Sequence, residues 1–378
     1  MKDYMERPDI IARAKREHKG FPLIVEILIF LLVFLVGNIL SVIIMLPPQL
    51  VMMFSNEDYM KAIQLGDMKL VEQATAEIAA SDGVNISSLF AFAGIILAGL
   101  LLGRWVDKRK LATQGFRKKG MFKEYGIGLI VGFVMFSVAV LLCLATGSVK
   151  MVLNVGSPLM LLLFFLGFMV QGMGEEVLCR GLLMVSVARR HSLPVAILTN
   201  ALVFAALHLG NNGISALALC NLTLFGIVAS IYFIKRGNIW GVGAVHSIWN
   251  FVQGNFYGIP VSGMYLKNSV FHSELLTEKT LINGGDFGLE GGLAVTVVLV
   301  ISAVIFWIMP GKNLDSQKEM KSEEAPAEQI KAEGSVEEQV KAEGSPAEQT
   351  KAEGSVEEPV KVEESPAGQM ESEGSVTE

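Results

Sequence analysis

The sequence predicts an all-α fold: a polytopic membrane helical bundle of about eight transmembrane helices with a disordered C-terminal tail. Three observations predict it. Hydrophobic residues make up 52% of the 378 and charged residues only 18%, a balance suited to lipid rather than to a soluble globule. Apolar runs alternate with short polar links as far as residue 310, where the composition turns charged and repetitive. The basic residues, finally, collect on alternate links, as the positive-inside rule requires of a multi-span chain.

Taken in order, the apolar runs place spans at about 22–46, 88–105, 125–147, 158–187, 194–210, 214–234, 239–256 and 291–309. The chain divides accordingly into a cytoplasmic basic arm (1–21), a membrane domain (22–310) and a disordered acidic tail (311–378). The first run is too long for a cleaved signal peptide, and no small-residue cleavage pattern precedes Pro47 and Pro48. In the link that follows, Met60, Leu65, Met68 and Val71 predict a short surface helix within 57–80 that caps the bundle. The fourth run exceeds the roughly 20 residues a bilayer needs, so it tilts, protrudes, or breaks near Gly172 and Gly174.

Basic residues crowd the arm, the link after the second span (Arg104 to Lys123), Arg189 and Arg190, and Lys235 and Arg236, whereas links 47–86 and 257–290 carry an acidic excess. Both termini are therefore expected in the cytoplasm, in an integral protein of a bacterial plasma membrane, since no eukaryotic targeting signal is visible. Trp105, Trp240 and Trp307 fall at span ends, where indole rings sit at the headgroup level. Cys143, Cys179 and Cys220 lie within spans without metal-ligand spacing, and are expected to be free thiols filling small buried sites. From Lys321 onward the chain repeats every ten residues, as in "KAEGSVEEQV" and "KAEGSPAEQT". Such sequence, without aromatics, cannot bury enough apolar area to offset the entropy of ordering.

An ionisable residue inside a span costs about 2.5–3.5 kcal/mol on insertion scales, which makes it a functional-site hypothesis by default. Three clusters qualify: "EEVLCR" at 175–180, "FAALH" at 204–208 and "HSIWN" at 246–250. Residues four apart share a helix face, so Glu176 and Arg180 pair while Glu175 points about 100° away, free to take a proton from water. Phe204 shares a face with His208, and His246 with Asn250. The set has the parts of a water-activating centre: a Glu and a His to hold and deprotonate water, and a His–Asn pair to donate hydrogen bonds to an oxyanion. Asn221 and Thr223 read as interhelical hydrogen bonds, and Asn211-Asn212-Gly213 as a turn.

These three motifs, in this order on separate spans, resemble those of the CAAX protease and bacteriocin-processing family of intramembrane endopeptidases, over about 157–256. The resemblance implies peptide-bond hydrolysis within or at the membrane, on a protein or peptide substrate. It implies Glu175 as the catalytic glutamate, His208 as the histidine that helps it hold water, and His246 and Asn250 as the oxyanion pair. Glu176, Arg180 and Phe204 would support them. Cys179 stands where an aromatic residue is common in the family. No His-Glu-x-x-His motif occurs, and Glu175, His208 and His246 either bind zinc or activate water directly. A metal-independent glutamate mechanism is the expectation, zinc being the one cofactor considered. Bacteriocin maturation, peptide-toxin immunity and membrane-protein turnover are the roles that go with it.

Two readings of other classes compete: a non-catalytic membrane scaffold held together by the same polar residues, or a transporter using them as a proton relay. No internal repeat of the two halves supports the transporter. No nucleic-acid partner is expected, and the oligomeric state is left open.

Overall fold

Lipid offers nothing to an unpaired backbone group, so a chain of this composition folds as helix. The computed structural model describes residues 8–311, and its strands among them form one two-stranded ribbon. The repeat tail lies outside the described residues. The chain begins with α1 (Asp9–Glu17), α2 (Leu23–Ser55), α3 (Glu57–Leu65), α4 (Met68–Ala79), α5 (Asp82–Ala91) and α6 (Ala93–Trp105). It continues through α7 (Met121–Ala145), β1 (Val149–Leu153), α8 (Pro158–Glu176), a π-wound stretch Val177–Met184, α9 (Val185–Arg190), α10 (Leu193–Ala206) and α11 (Ala216–Arg236). It ends with α12 (Ile239–Phe251), π-wound to Phe256, then β2 (Phe271–Leu275), α13 (Thr280–Asn283) and α14 (Leu293–Ile308).

Five helical stretches are long and apolar enough to cross a membrane: Leu23–Ser55, Asp82–Trp105, Met121–Ala145, Pro158–Arg190 and Ala216–Arg236. Helices α10 and α14 are apolar but shorter. Helix α12 lies at the centre, packed between α7 and α8, and nearly every residue from Ile239 to Asn250 is buried. Glycines permit that approach. A Cβ on Gly132 of α7 would lie 2.5 Å from the Val245 carbonyl, and one on Gly172 of α8 would lie 2.6 Å from the Ser247 nitrogen. Small residues at a helix crossing are how membrane bundles gain close van der Waals packing.

The structure departs from the sequence expectations at several places. Helix α2 does not stop at residue 46. It continues through Pro47 and Pro48 to Ser55, because packing along α5 and α6 carries it past the two missing backbone donors. The surface helix expected at 57–80 is two helices: Gly66, at φ +66°, ends α3, and the Asp67 carboxylate caps α4 by accepting from Lys69 and Leu70. The fourth run neither stops nor breaks at its glycines. It changes to π winding directly after Glu176 and continues to Arg190. The sequence shows only links where the ribbon forms, since β1 and β2 lie far apart in sequence and neither is long enough to show a period; Val149 pairs with Leu275 and Leu153 with Phe271, antiparallel. Cys143 and Cys179 are buried free thiols as expected, but Cys220 faces outward from α11 and fills no internal site.

The basic end is closed by charge pairing. Ile10, Ile11 and Ala14 of α1 are buried against the bundle, and the Glu17 carboxylate accepts from the Lys110 nitrogen and the Thr113 hydroxyl, each at 2.9 Å. Helix α1 of the N-terminal arm is thus docked. Arg189 reaches Asp107 at 2.5 Å and Glu26 at 3.1 Å, with all three side chains essentially inaccessible. Beside them Arg109 donates to the Leu182 carbonyl and the Ser186 hydroxyl. Burial pushes the Arg109 guanidinium down to about 10, so it remains charged at neutral pH. Arg236 grips Glu124 with two bonds of 2.7 and 2.8 Å.

The crossing at α12 is testable. Gly132→Leu and Gly172→Leu should each lower the thermal unfolding midpoint in detergent, overpacking of this kind costing about 1–3 kcal/mol or more. Gly126→Ala, on α7 with nothing within 4 Å of the added carbon, should leave the midpoint unchanged or slightly raised. Equal midpoints for all three would show that α7, α8 and α12 do not meet as described.

Candidate active site

The site is built where α8, α10, α11 and α12 meet. Glu175 and Glu176 are consecutive on α8, so the helix directs them to different sides. Glu176 points into the bundle and is fully buried. Its Oε1 accepts from Arg180 Nη1 at 2.7 Å and from His246 Nδ1 at 2.8 Å. The Arg180 guanidinium lies 4.9 Å from the centre of the Phe204 ring, a cation–π contact, and donates a second bond to the Gly226 carbonyl at 3.3 Å. Phe225 and Phe204 meet the His246 ring in T-shaped contacts at centroid separations of 5.0 and 5.9 Å.

Glu175 turns to a cavity of about 690 Å³. Its Oε1 accepts from Gln171 Nε2 at 2.5 Å, and Gln171 Oε1 in turn accepts from Asn250 Nδ2 at 2.9 Å. Gln171 thus joins the carboxylate to the carboxamide. The second oxygen of Glu175 is buried, takes no hydrogen bond from the protein, and stands 3.6 Å from His246 Nε2. Because the Glu176 carboxylate only accepts, His246 carries a proton on Nδ1, which turns Nε2 toward Glu175.

His208 follows α10 and lines the same cavity. Its Nδ1 donates to the Phe204 carbonyl at 2.8 Å, which leaves Nε2 as an acceptor in the neutral ring. The structure therefore brings Glu175, His208, His246 and Asn250 to one cavity, with Phe204 forming part of its wall and Glu176 and Arg180 behind it. The imidazole beside Glu175 is His246; His208 makes no hydrogen bond to that carboxylate. Among the described residues no group of three or more His, Cys, Asp or Glu side chains is gathered closely enough to share a metal ion.

Gln171 and Glu290 are among the polar residues of this cavity that sequence reasoning passes over. Gln171 had a signal, since it lies one helical turn before Glu175 on the same face, but an uncharged residue attracts no attention in an apolar run. Glu290 had none. It sits far along the chain, where its carboxylate takes bonds from the Trp249 indole at 3.2 Å and from the Ser262 nitrogen and hydroxyl at 2.9 and 2.7 Å. Asn221 does bridge elements, from α11 to the Glu290 and Gly292 carbonyls, whereas Thr223 bonds only within its own helix.

Fold and site together define a helical membrane protein with a carboxylate, imidazole and carboxamide centre inside its bundle. Residues 157–252 match the family model described as Rce1-like, type II CAAX prenyl endopeptidase. Over this segment, from the start of α8 to the end of α12, the chain is similar to the CAAX protease family, a family of membrane proteases acting on protein or peptide substrates. No curated protein and no solved structure matches the chain.

Arg180→Ala would leave the Glu176 carboxylate buried with only His246 to compensate it, a change that costs about 3–5 kcal/mol. The expected readout is a lower yield of folded protein and a depressed thermal midpoint. Arg180→Lys should recover only part of the loss, since an ammonium cannot make both the Glu176 and Gly226 bonds and the ring contact at once. A wild-type midpoint in Arg180→Ala would show that the pair contributes nothing to the fold.

Proposed function

We propose that the protein is an intramembrane endopeptidase in which Glu175 activates water against a peptide bond lying in the cavity. One observation carries this reading: the buried second oxygen of Glu175 has no protein partner and faces both the cavity and His246 Nε2. An unsatisfied buried acceptor is costly, so an oxygen without a protein partner at a cavity wall is suited to holding a water.

A water hydrogen-bonded to Glu175 Oε2 gives up a proton to it as its oxygen adds to the peptide carbonyl carbon. The carbonyl oxygen gains negative charge, and the second N–H of Asn250 Nδ2 is available to stabilise it. A His246 ring protonated on both nitrogens adds a donor from Nε2 while holding Glu176 through Nδ1. When the tetrahedral intermediate collapses, the C–N bond breaks and the proton on Glu175 passes to the leaving amine. His208, from the opposite side, helps to hold the water through Nε2. Gln171 keeps Glu175 and Asn250 in register by bonding to both. No step requires a metal, although Glu175 and the two histidines are the residues a zinc ion would draw on. The membrane domain is read as eight spans, with α10, α12 and α14 crossing as short helices and both termini in the cytoplasm.

Purified protein in detergent, incubated with a proteome-derived peptide library and analysed by mass spectrometry, should yield defined cleavage products. Glu175→Gln should lower their rate of formation by about 10²–10⁴-fold, the contribution of a general base, while the thermal midpoint stays close to wild type. Undiminished cleavage by the variant would remove Glu175 from the reaction, and absence of cleavage by wild type would favour a scaffold.

A further inference from the structure

The cavity has one open end and one closed end. Its deep end is formed by buried residues, among them His246, Trp249 and Asn250, whereas the lining residues that reach solvent are Ala80, Gly210, Asn212, Tyr265 and Lys267. These five come from three links: the one before α5, the turn after α10, and the segment between α12 and β2. No lining residue comes from the loops joining α6 to α7, α9 to α10, or α11 to α12. That other end is filled by the π-wound stretch Val177–Met184, buried throughout, and by the inaccessible Glu26, Asp107, Arg109 and Arg189.

The two ends differ in charge as well as in access. Loops and helix ends at the closed end hold most of the basic residues of the membrane domain, including Lys108, Lys110, Lys118 and Arg190, while the links and short helices at the open end are acidic, with Glu57, Asp58, Asp67 and Glu72 before the cavity rim. Short basic links stay in the cytoplasm. We infer that the cavity opens to the extracytoplasmic face, and that its substrate is a peptide segment presented on that face rather than a cytosolic tail. The inference rests on the protease reading for the identity of the occupant, but not for the direction of access.

The mouth is chemically suited to a peptide main chain. The carboxamides of Asn85 on α5 and Asn212 at the rim line the cavity and, among the described residues, take no hydrogen-bond partner. Each offers a donor and an acceptor, the complement of a peptide group in an extended strand. Asn85 and the rim segment 261–267 lie outside the family-matched segment 157–252 while Asn212 lies within it, so the peptide-facing walls draw on more of the chain than the reacting groups do.

Access is measured without catalysis. In a full-length background with Cys143, Cys179 and Cys220 replaced, single cysteines at Asn212→Cys, Ser88→Cys and Lys118→Cys are treated in spheroplasts with a membrane-impermeant maleimide. Asn212→Cys at the rim and Ser88→Cys inside the cavity should label in intact spheroplasts, and Lys118→Cys only after permeabilisation. The reverse pattern overturns the inference, and so does a Ser88→Cys that stays unlabelled from outside while Asn212→Cys reacts. In the peptide-library assay, maleimide-modified Ser88→Cys should turn over at least tenfold more slowly than the unmodified variant; equal rates would mean that peptides reach Glu175 by another route. An inactive wild type would sink the protease reading and leave the labelling result standing, whereas cleavage with inverted labelling would do the opposite.

Discussion

A single oxygen holds this site together. Glu176 Oε1 is shared by the Arg180 guanidinium and the His246 ring, all three side chains lying deep in the bundle. In water such a pairing contributes little; in an apolar interior, removing one partner strands a charge. The shared oxygen therefore ties the direction of α8 to the rotation of α12, while the Arg180 contacts to Gly226 and Phe204 extend the same tie to α11 and α10. Glu175 owes its position to this arrangement, because its neighbour's commitment to the interior leaves it turned to the cavity.

The cluster is not a stability optimum. Glu176 Oε2, Arg180 Nε and Glu175 Oε2 are all buried without a hydrogen-bond partner in the protein. Each such atom costs about 1–3 kcal/mol relative to a satisfied group. A bundle selected for stability alone would fill this volume with leucine and phenylalanine. Local violations of the packing rules of this kind concentrate where a chain has a task besides folding, which agrees with a family of membrane proteases and adds to the weight placed on the unpaired oxygen of Glu175.

What was legible in the sequence follows from how far each feature reaches. The Glu176–Arg180 pair and the divergence of Glu175 were readable because they depend on helical spacing within one turn. The apolar runs foretold the helices to within a few residues at most ends, the exception being α2, whose prolines suggested a stop that packing on α5 and α6 overrides. The π winding after Glu176 left no trace, since seven of its eight residues are apolar and suit an α-helix equally. His208 meets the site because α10 is short, with His208 just beyond its end, and because α12 places His246 beside the Phe204 ring that His208 also contacts. Convergence of segments separated by tens of residues is a tertiary fact that periodicity does not encode, and Glu290 is the clearest case.

Glu290 also explains how the candidate site and the mouth of its cavity can be kept in one geometry. Its carboxylate accepts from the Trp249 indole on α12 and from both the nitrogen and the hydroxyl of Ser262, a residue held at φ +48°. Left-handed backbone at a non-glycine residue is held only when its surroundings over-determine it, and here the bonds from Glu290, together with one from Asn211 Nδ2 to the Ser262 carbonyl at 3.0 Å, do so. Trp249 immediately precedes Asn250, so the segment that frames the mouth is anchored one residue away from the carboxamide proposed to meet the oxyanion. A shift of the rim would be felt at Asn250 through a buried indole rather than through solvent. The link to α14 runs through the same residue, since the Glu290 carbonyl accepts from Asn221, whose Oδ1 accepts in turn from Thr296. Helix α14, outside the family-matched segment, is thereby made part of the site's scaffold.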